Sequence, residues 1–259
     1  MNVGVQKFRN VSLSKLRGTS RTVFVDQLSD GTIRIFPCRV ITRMKSQRQL
    51  VEVIESDLLG TALVLDGELQ LASRDEDVYH LAIARAVGLN TRKRAKGCRA
   101  LVLGGGDGCA ARELLNYRNF TKCVIVDFDQ YVLNLFRSQL LGQAFRTWQT
   151  FHDKRVEVIC SEATTFLKRK SEKWHAVIVD LPDHYVVNRR KLGRLLRLVR
   201  WRLASGGVLA LQAGPSRTIQ PWLYDVLQDC RLVIVAAQTI RLLSFGEDWT
   251  IVTAMAGKL

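Results

Sequence analysis

The feature that most constrains the fold is a regular alternation of segments that starts near residue 75. Short, β-branched or apolar segments of strand length recur there, and segments with helical periodicity separate them. The first helix-like segment covers residues 76–87, and the strand-like segments cover residues 100–103, 123–126, 156–159, 176–179, 208–211, 232–236 and 250–253. This alternation predicts an α/β fold, a Rossmann-like, doubly wound parallel sheet with helices on both faces.

The first 72 residues follow a different pattern, since short β-type segments occur there without intervening helices. These segments lie at residues 22–25, 32–36, 49–54 and 61–65. The dipeptides Asp30-Gly31 and Asp66-Gly67 are typical of tight turns between paired strands. We therefore expect a small β domain at residues 1–74, with the first 20 residues extended or disordered, and a Rossmann-like core at residues 75–259.

The chain is strongly basic. Lysine and arginine number 39 against 24 acidic residues, which gives a formal net charge of +15. Residues 189–202 combine apolar positions at helical spacing with Arg190, Arg194 and Arg197, which predicts an amphipathic helix with a basic outer face. We interpret the charge as a solvated basic exterior, and contact with nucleic acid or an acidic membrane surface is the alternative.

Cysteines, histidines and apolar runs limit the class of protein further. The apolar run at residues 232–237 is much shorter than the roughly 18 residues of a membrane-spanning helix. The six cysteines form no CxxC pair, which predicts small buried thiols in a reducing, cytoplasmic compartment. The four histidines are not at ligand spacing near any cysteine, so we expect no metal site.

Acidic residues follow four consecutive strand-like segments of the core. They are Asp107 after the first segment, Asp127 and Asp129 after the second, Glu162 after the third, and Asp180 and Asp183 after the fourth. Open α/β sheets bind ligands beyond the carboxyl ends of their strands, so these side chains are expected at one functional edge. Because the chain is otherwise basic, acids collected at that edge predict a cationic ligand.

A glycine-rich segment, Gly104-Gly105-Gly106-Asp107-Gly108, follows the first strand of this series. Its glycines permit a tight turn and a close approach of the backbone to a ligand. The segment lacks the GxGxxG spacing of dinucleotide-binding loops, and Asp107 would repel a pyrophosphate. Asp127 lies 20 residues beyond Asp107, where an acid can accept hydrogen bonds from ribose hydroxyls. Together with Glu162, this arrangement predicts an adenosyl-sulfonium ligand.

In these segments the sequence resembles the spermidine synthase family of polyamine aminopropyltransferases, from Gln49 to Ala256. The similar motifs are Leu63-Val-Leu-Asp-Gly-Glu-Leu-Gln70, Arg74-Asp-Glu, Tyr79-His80, Leu103-Gly-Gly-Gly-Asp-Gly108 with Ala111-Arg-Glu113, Val126-Asp-Phe-Asp129, Asp180-Leu-Pro-Asp183, Gly206-Gly-Val-Leu-Ala-Leu-Gln212 and Ser244-Phe-Gly246. The resemblance implies a methyltransferase-type doubly wound sheet preceded by a small β domain. It also implies transfer of the aminopropyl group of decarboxylated S-adenosylmethionine to putrescine or a related amine, giving spermidine and 5′-methylthioadenosine.

The resemblance also implies roles for the matching residues of this chain. Asp180 would be the catalytic base, Asp107 would hold the aminopropyl amine, and Asp127 would bind the ribose. The rest of the cofactor pocket would be formed by Gln49, His80, Gly104, Gly106, Glu162 and Ala163, and the acceptor amine would be oriented by Tyr79, Asp183 and Gln212. No prosthetic group and no metal are implied. The assembly would be a homodimer or homotetramer built through the β domain.

Three features depart from the family pattern where the acceptor would bind. His184 follows Asp183, where the family commonly has proline, and the basic residues 185–194 stand where the family has a loop that covers the site. Leu243 replaces a tyrosine that some members use for the acceptor. These departures concern the choice of acceptor amine more than the family resemblance.

Two other functions stay open on the sequence alone. An S-adenosylmethionine-dependent methyltransferase would share the glycine loop and the ribose acid, but it does not explain Asp180 and Asp183 or the preceding β domain. A non-catalytic protein that binds nucleic acid through its basic face would show an affinity that falls steeply with salt. Such a protein would keep its function when Asp180 is replaced by asparagine.

Overall fold

The computed structural model describes residues 22–91, 97–169, 171–182 and 188–257. These residues form two compact units, the first with residues 22–75 and Leu243–Gly246, the second with the described residues of 76–242 and 247–257. The first unit thus extends to Asp75, one residue beyond the expected end of the β domain. The extension or disorder expected for the first 20 residues concerns a segment outside the described ranges, as do Asp183 and His184.

The first unit is an antiparallel sheet in which each strand pairs with the next one along the chain. Its strands are β1 (Thr22–Gln27), β2 (Ile33–Lys45), β3 (Leu50–Ser56), β4 (Gly60–Leu65) and β5 (Glu68–Ala72). Asp66 and Gly67 join β4 to β5 with φ angles of 49° and 84°, as a two-residue hairpin turn requires. Phe24, Phe36 and Ile54 belong to its core.

The second unit alternates strands and helices, as the sequence predicts. Its strands are β6 (Cys98–Gly104), β7 (Phe120–Asp127), β8 (Val156–Cys160), β9 (Trp174–Asp180), β10 (Leu203–Pro215), β11 (Leu232–Leu242) and β12 (Glu247–Ala256). Its helices are α1 (Glu76–Thr91), α2 (Cys109–Leu115), α3 (Gln130–Arg137), α4 (Gln139–Ala144), α5 (Trp148–His152), α6 (Ala163–Arg169), α7 (Arg189–Arg202) and α8 (Trp222–Asp229).

These seven strands form one sheet in the order β11-β12-β10-β9-β6-β7-β8. Five neighbouring strands run parallel to one another, namely β10, β9, β6, β7 and β8. Strand β12 runs antiparallel to both of its neighbours, β10 and β11. The sequence predicts a final strand at residues 250–253 without a direction, and the structure shows that this strand, β12, is antiparallel. Only Leu243–Gly246 separate β11 from β12, and so short a connection permits a hairpin but no parallel crossover. The predicted class, a Rossmann-like doubly wound sheet preceded by a small β domain, is confirmed.

Helices cover both faces of this sheet. Leu101, Leu103 and Val177 lie on the face that packs against α6, α7 and α8. Ala100 and Val102 are buried as well, and because side chains alternate along a strand they face the opposite side. Helices α1 and α2 contact each other and the strands on that second side. The glycine loop between β6 and α2 therefore lies at the edge where the two helical layers meet the sheet.

Helix α7 has the predicted amphipathic character, since three of its four leucines are buried while Arg190, Arg194 and Arg197 are exposed. All six cysteines are free thiols. The expectation that they are buried is wrong for Cys160, which is exposed because it ends the edge strand β8. Cys38 is only partly buried. Within the described ranges, no helix combines the length and the apolar character needed to span a bilayer.

Candidate active site

Predicted site residues of the second unit meet at the carboxyl ends of β6 and β9. The strand order reverses here, because β7 lies on one side of β6 and β9 on the other, and open α/β sheets bind ligands at such a point. Gly104 has a φ of 82°, and a Cβ at this position would lie 1.9 Å from the carbonyl oxygen of Asp180. Only glycine therefore allows the loop after β6 to pack against the end of β9.

Asp127 ends β7, and backbone amides hold both of its carboxylate oxygens. Gly106 N donates to Oδ2 at 3.1 Å, and Asp129 N donates to Oδ1 at 2.9 Å. A Cβ on Gly106 would lie 2.7 Å from the same Oδ2, so a side chain there would displace the carboxylate. Burial raises the pKa of Asp127 to about 6, against the opposing effect of the two amides. Asp127 is therefore mostly ionised at neutral pH.

Asp180, the last residue of β9, accepts a short hydrogen bond from α1. The donor is the hydroxyl of Tyr79, which lies 2.6 Å from Asp180 Oδ1. Burial raises the pKa of Asp180, an effect that the positive charge of His80 and the Tyr79 hydrogen bond partly offset and the charge of Asp107 reinforces. A carboxylate with a raised pKa is a stronger base, which suits it to abstracting a proton from an ammonium group.

His80 is buried on α1 between carboxylates. Its Nδ1 lies 2.7 Å from the carbonyl oxygen of Glu76 and 3.0 Å from Glu76 Oε2, and its Nε2 lies 3.8 Å from Asp107 Oδ1. Burial opposes a charge on the ring, but the Glu76 hydrogen bond and the charges of Asp107 and Asp180 outweigh it and raise the pKa of His80 to about 9. His80 is therefore an imidazolium at neutral pH.

Glu76 is a residue of this cluster that the sequence analysis missed. Its buried carboxylate accepts hydrogen bonds from both terminal nitrogens of Arg112, at 2.9 and 3.0 Å, and from Arg146 at 3.3 Å. Burial acts to raise its pKa, but the hydrogen bonds of His80 and Arg112 prevail and lower the pKa of Glu76 to about 2. An acid four positions before a histidine on a predicted helix is the signal that could have identified it.

Three further predicted site residues, described next, also belong to the second unit. Glu162 accepts from Thr165 N at 2.9 Å and from the Thr164 hydroxyl at 2.5 Å, so it caps α6. Burial opposes ionisation of Glu162, but these hydrogen bonds lower its pKa. Ala163 is the buried first residue of α6. Gln212 is buried in β10, and its Nε2 donates to the carbonyl oxygen of Leu181 at 3.3 Å.

The structure brings four of the predicted residues into one cluster. Tyr79 contacts Asp180, and one side-chain atom from each of His80, Asp107 and Asp180 lies within 4.8 Å of the other two. Gln49 is buried in the first unit, directly before β3. The roles that the family resemblance implies for these residues, and for Asp183 outside the described ranges, stay predictions.

The chemistry of this cluster suits an ammonium ion. Asp107 and Asp180 present two carboxylates, which form strong charge-assisted hydrogen bonds with protonated amines. The same atoms together with His80 could hold a metal ion, since imidazole and carboxylate are common ligands. Ligation would displace the proton of His80, whose pKa is raised to about 9 by the neighbouring carboxylates. The cluster therefore suits a cation.

The chain is similar to proteins of one enzyme family. Residues 76–256 match the family model described as the spermine/spermidine synthase domain. A polyamine aminopropyltransferase of Synechococcus sp. (strain JA-3-3Ab) is 31% identical over 215 residues, which cover 78% of this chain and 67% of that protein. A polyamine aminopropyltransferase of Saccharolobus solfataricus is 28% identical over 221 residues, which cover 82% and 70%. Thermospermine synthase ACAULIS5 of Arabidopsis thaliana is 26% identical over 221 residues, which cover 81% and 62%.

Solved structures share the fold at lower identity. The spermidine synthase from Thermotoga maritima has a TM-score of 0.78 at 18% identity, with 94% of this chain and 82% of that chain covered. A spermidine synthase in complex with the transition state analogue AdoDATO has a TM-score of 0.79 at 18% identity, with 94% and 83% covered. The predicted enzyme class, a transferase, is confirmed by the names of the relatives. Since the family model matches more than half of the sequence, this chain belongs to the spermine/spermidine synthase family.

Proposed function

We propose that this chain transfers the aminopropyl group of decarboxylated S-adenosylmethionine to putrescine or a related diamine, giving spermidine or its analogue and 5′-methylthioadenosine. The observation that carries the proposal is the meeting of Asp107 and Asp180 beside the glycine loop, with the Tyr79 hydroxyl bound to Asp180. Both substrates of such a reaction are cations, and two carboxylates can hold them in one geometry.

Donor binding would use the loop after β6 and the end of β7. Asp127 would accept hydrogen bonds from the ribose hydroxyls, and Gly104 and Gly106 would let the adenosine lie close to the backbone. Asp107 would pair with the amine at the end of the aminopropyl group. The adenosine pocket would be completed by Gln49, His80, Glu162 and Ala163, as the family resemblance implies.

Transfer would begin when Asp180 takes a proton from the acceptor ammonium group. The freed amine then attacks the carbon bonded to the sulfonium. A carbon–nitrogen bond forms, the carbon–sulfur bond breaks, and sulfur keeps the electron pair as a neutral thioether. Tyr79 would hold Asp180 in place and carry its proton onward, while Asp183 and Gln212 would orient the acceptor.

Methyl transfer from S-adenosylmethionine is the second candidate, because the glycine loop and Asp127 would serve both donors. The two donors differ in the carboxylate of the amino acid tail, which decarboxylation removes. Asp107 lies inside the loop and within 4.8 Å of a second carboxylate, so a tail that carries its own carboxylate would be repelled. This repulsion favours the decarboxylated donor.

The test is a product assay with purified protein, each of the two donors and putrescine, analysed by mass spectrometry. We expect an aminopropylated product, and a methylated product alone would overturn the proposal. Asp180→Asn should lower turnover at least about 100-fold without loss of folding, since a general base contributes about that much. Asp229→Asn is the matched control, because Asp229 is exposed at the end of α8, just before the start of β11 at the opposite edge of the sheet.

The acceptor is the finer part of the proposal. Putrescine should be compared with cadaverine, agmatine and spermidine under the same conditions. If spermidine is used, chromatography separates spermine from thermospermine, the product named for the Arabidopsis relative. Leu243→Tyr restores the residue that some members of the family use, and we expect it to change the ratio of kcat/KM values between acceptors.

We also propose that the enzyme acts in the cytoplasm as a homodimer or homotetramer. The free state of all six thiols supports a reducing compartment. The oligomeric state can be measured by light scattering on a size-exclusion column, and a monomer at micromolar concentration would contradict this part of the proposal.

A further inference from the structure

Helix α7 has a composition that aminopropyl transfer does not explain. Seven of its 14 residues are arginine or lysine and none is acidic. Apart from the partly buried Leu198 and the exposed Trp201, its apolar residues are buried in the core, so its outer face is mainly cationic. Two of the basic residues have structural partners: Arg200 donates to the carbonyl oxygens of Arg231 and Gly257, and Arg202 donates to that of Leu167.

Three other arginines form a line that ends at an exposed tryptophan. Arg190, Arg194, Arg197 and Trp201 are spaced by four, three and four residues, so they lie along one side of the helix, and we call them the α7 stripe. Trp201 is 72% exposed, and all three arginines are exposed. In the described part of the chain, none of these arginines has a carboxylate within ion-pair distance. The stripe is about 16 Å long, roughly the length of five stacked nucleotides.

The surroundings of Trp201 are also cationic. Lys173 donates a hydrogen bond to the carbonyl oxygen of Trp201, and Lys168 and Arg169 end the adjacent helix α6. The nearby Glu172 is already paired, with Arg99 at 3.5 Å and Lys122 at 3.6 Å. The stripe and its neighbours therefore present a cationic surface with one exposed aromatic ring.

This surface is separate from the candidate active site. Leu203, directly after α7, pairs with Trp174 at the beginning of β9, whereas Asp180 is at the end of that strand. The strand between them spans about 20 Å. Trp201 therefore lies near the opposite edge of the sheet from Asp180, and a ligand at the Trp201 end of the stripe would leave the cluster around Asp180 open.

We propose that the α7 stripe binds single-stranded nucleic acid, with phosphates on the arginines and an unpaired base stacked on Trp201. Rows of arginine with an exposed aromatic ring are typical of surfaces that bind single-stranded nucleic acid. Unpaired RNA offers bases for stacking, which duplex DNA does not. A membrane surface fits less well, because the other apolar residues of α7 are buried or partly buried and only Trp201 remains to insert into lipid.

The test is fluorescence anisotropy of labelled 20-nucleotide oligouridine with the full-length protein. Log K falls as log salt rises, and replacement of the three stripe arginines by alanine should make this slope less steep by about 2. Each phosphate contact contributes roughly 0.7 to its magnitude. Trp201→Ala should weaken binding at least about fivefold, as expected for the loss of one stacked base. Aminopropyl transfer should not change in Trp201→Ala, which also reports that this variant is folded, and circular dichroism reports the fold of the arginine variant.

A second triple variant controls for total charge. Arg85→Ala, Arg118→Ala and Lys154→Ala also remove three exposed cations, but from α1 and from loops beyond α2 and α5. If this variant loses as much affinity as the stripe variant, binding follows net charge and the proposal is wrong. Equal or tighter binding to double-stranded RNA would also overturn it. So would binding to phosphatidylserine vesicles in the absence of binding to oligouridine.

Discussion

Glu76 controls the charge of the candidate active site. Its buried carboxylate is held by Arg112 and Arg146 and in turn hydrogen-bonds His80. Because Glu76 keeps His80 protonated, a positive charge faces Asp107 and Asp180, where two carboxylates would otherwise repel each other. Glu76 therefore acts as a positioning residue for the cluster.

Replacement of Glu76 tests this role. Glu76→Gln should lower the pKa of His80 from about 9, measurable by NMR titration of the imidazole, because the strongest stabilising partner of the imidazolium is lost. It should also reduce the free energy of unfolding by about 1–3 kcal/mol, since the partly buried Arg112 then keeps only Glu113 and the carbonyl oxygen of Phe145 as partners. Glu157→Gln, which removes an exposed partner of Lys122, should cost less than about 1 kcal/mol. An unchanged His80 pKa would contradict the assignment.

Asp127 gives a second prediction, for the pH dependence of nucleoside binding. Its pKa of about 6 lies above the ordinary value, so the carboxylate is ionised at pH 7.5 and protonated as the pH falls through 6. Only the ionised form accepts hydrogen bonds with both oxygens, so at pH 5 the affinity for 5′-methylthioadenosine should fall by about tenfold. Calorimetry measures this affinity directly. Because no reaction takes place, the result does not depend on proton transfer to the catalytic base. The Asp127→Asn variant should bind 5′-methylthioadenosine weakly and with little pH dependence. If its affinity instead falls with pH as that of the unchanged protein does, another group is responsible for the titration.

Sequence position was sufficient to locate some site residues but not their partners. Asp107, Asp127 and Asp180 follow strands, and the sheet order brings those strand ends to one edge. The spacing of Glu76 and His80 is a local signal, but the main partner of Glu76, Arg112, is 36 residues away, and no local pattern records that pairing. Long-range partners of this kind require the packed structure.

At the level of elements, the sequence predicted the centres of strands better than their ends or directions. Residues 208–211 were expected as a strand, whereas β10 extends over Leu203–Pro215. The additional residues are not uniformly β-forming; they pair because β9 and β12 lie alongside them. The direction of β12 likewise depends on its connection to β11 and not on its own composition.

The loop between β6 and α2 allows a matched test of glycine. Gly104 and Gly67 have nearly the same φ, 82° and 84°, but a Cβ at Gly67 would meet nothing within 4 Å. Gly67→Ala should therefore cost only the backbone strain of about 1–2 kcal/mol. Gly104→Ala should cost at least about 3 kcal/mol and abolish 5′-methylthioadenosine binding, because the methyl group collides with the end of β9. Urea unfolding would measure the stability cost of each substitution, and calorimetry would measure nucleoside binding. Equal stability costs would show that backbone strain accounts for both and that the collision with β9 does not contribute.

At the scale of the whole molecule, the first unit is built from two distant parts of the chain. Ser244 N donates to the buried carboxylate of Asp75 at 2.9 Å, and the carbonyl oxygen of Ser244 accepts from Arg34 at 2.8 Å. Phe245 packs against the core of the same unit. The four residues Leu243–Gly246 are therefore a structural part of a sheet whose strands are all encoded before residue 75.

Loss of the Asp75 hydrogen bond should loosen that sheet selectively. Asp75→Ala leaves the amide of Ser244 without its acceptor, which should cost about 1–3 kcal/mol. We expect faster hydrogen exchange in β1–β5 and unchanged exchange in the central strands β6 and β9. Asp57→Ala is the control, because Asp57 is exposed and the hydrogen bond described at that residue uses its backbone carbonyl. Uniform acceleration across both units would contradict a local role.

This discontinuity affects the order in which the protein can be completed on the ribosome. Strands β1–β5 are translated before the segment that satisfies Asp75 and Arg34, which follows roughly 10–30 s later at ordinary elongation rates. During that interval the nascent sheet has every strand yet lacks its final hydrogen bonds. The first unit therefore reaches its finished state only after most of the second unit has been synthesised.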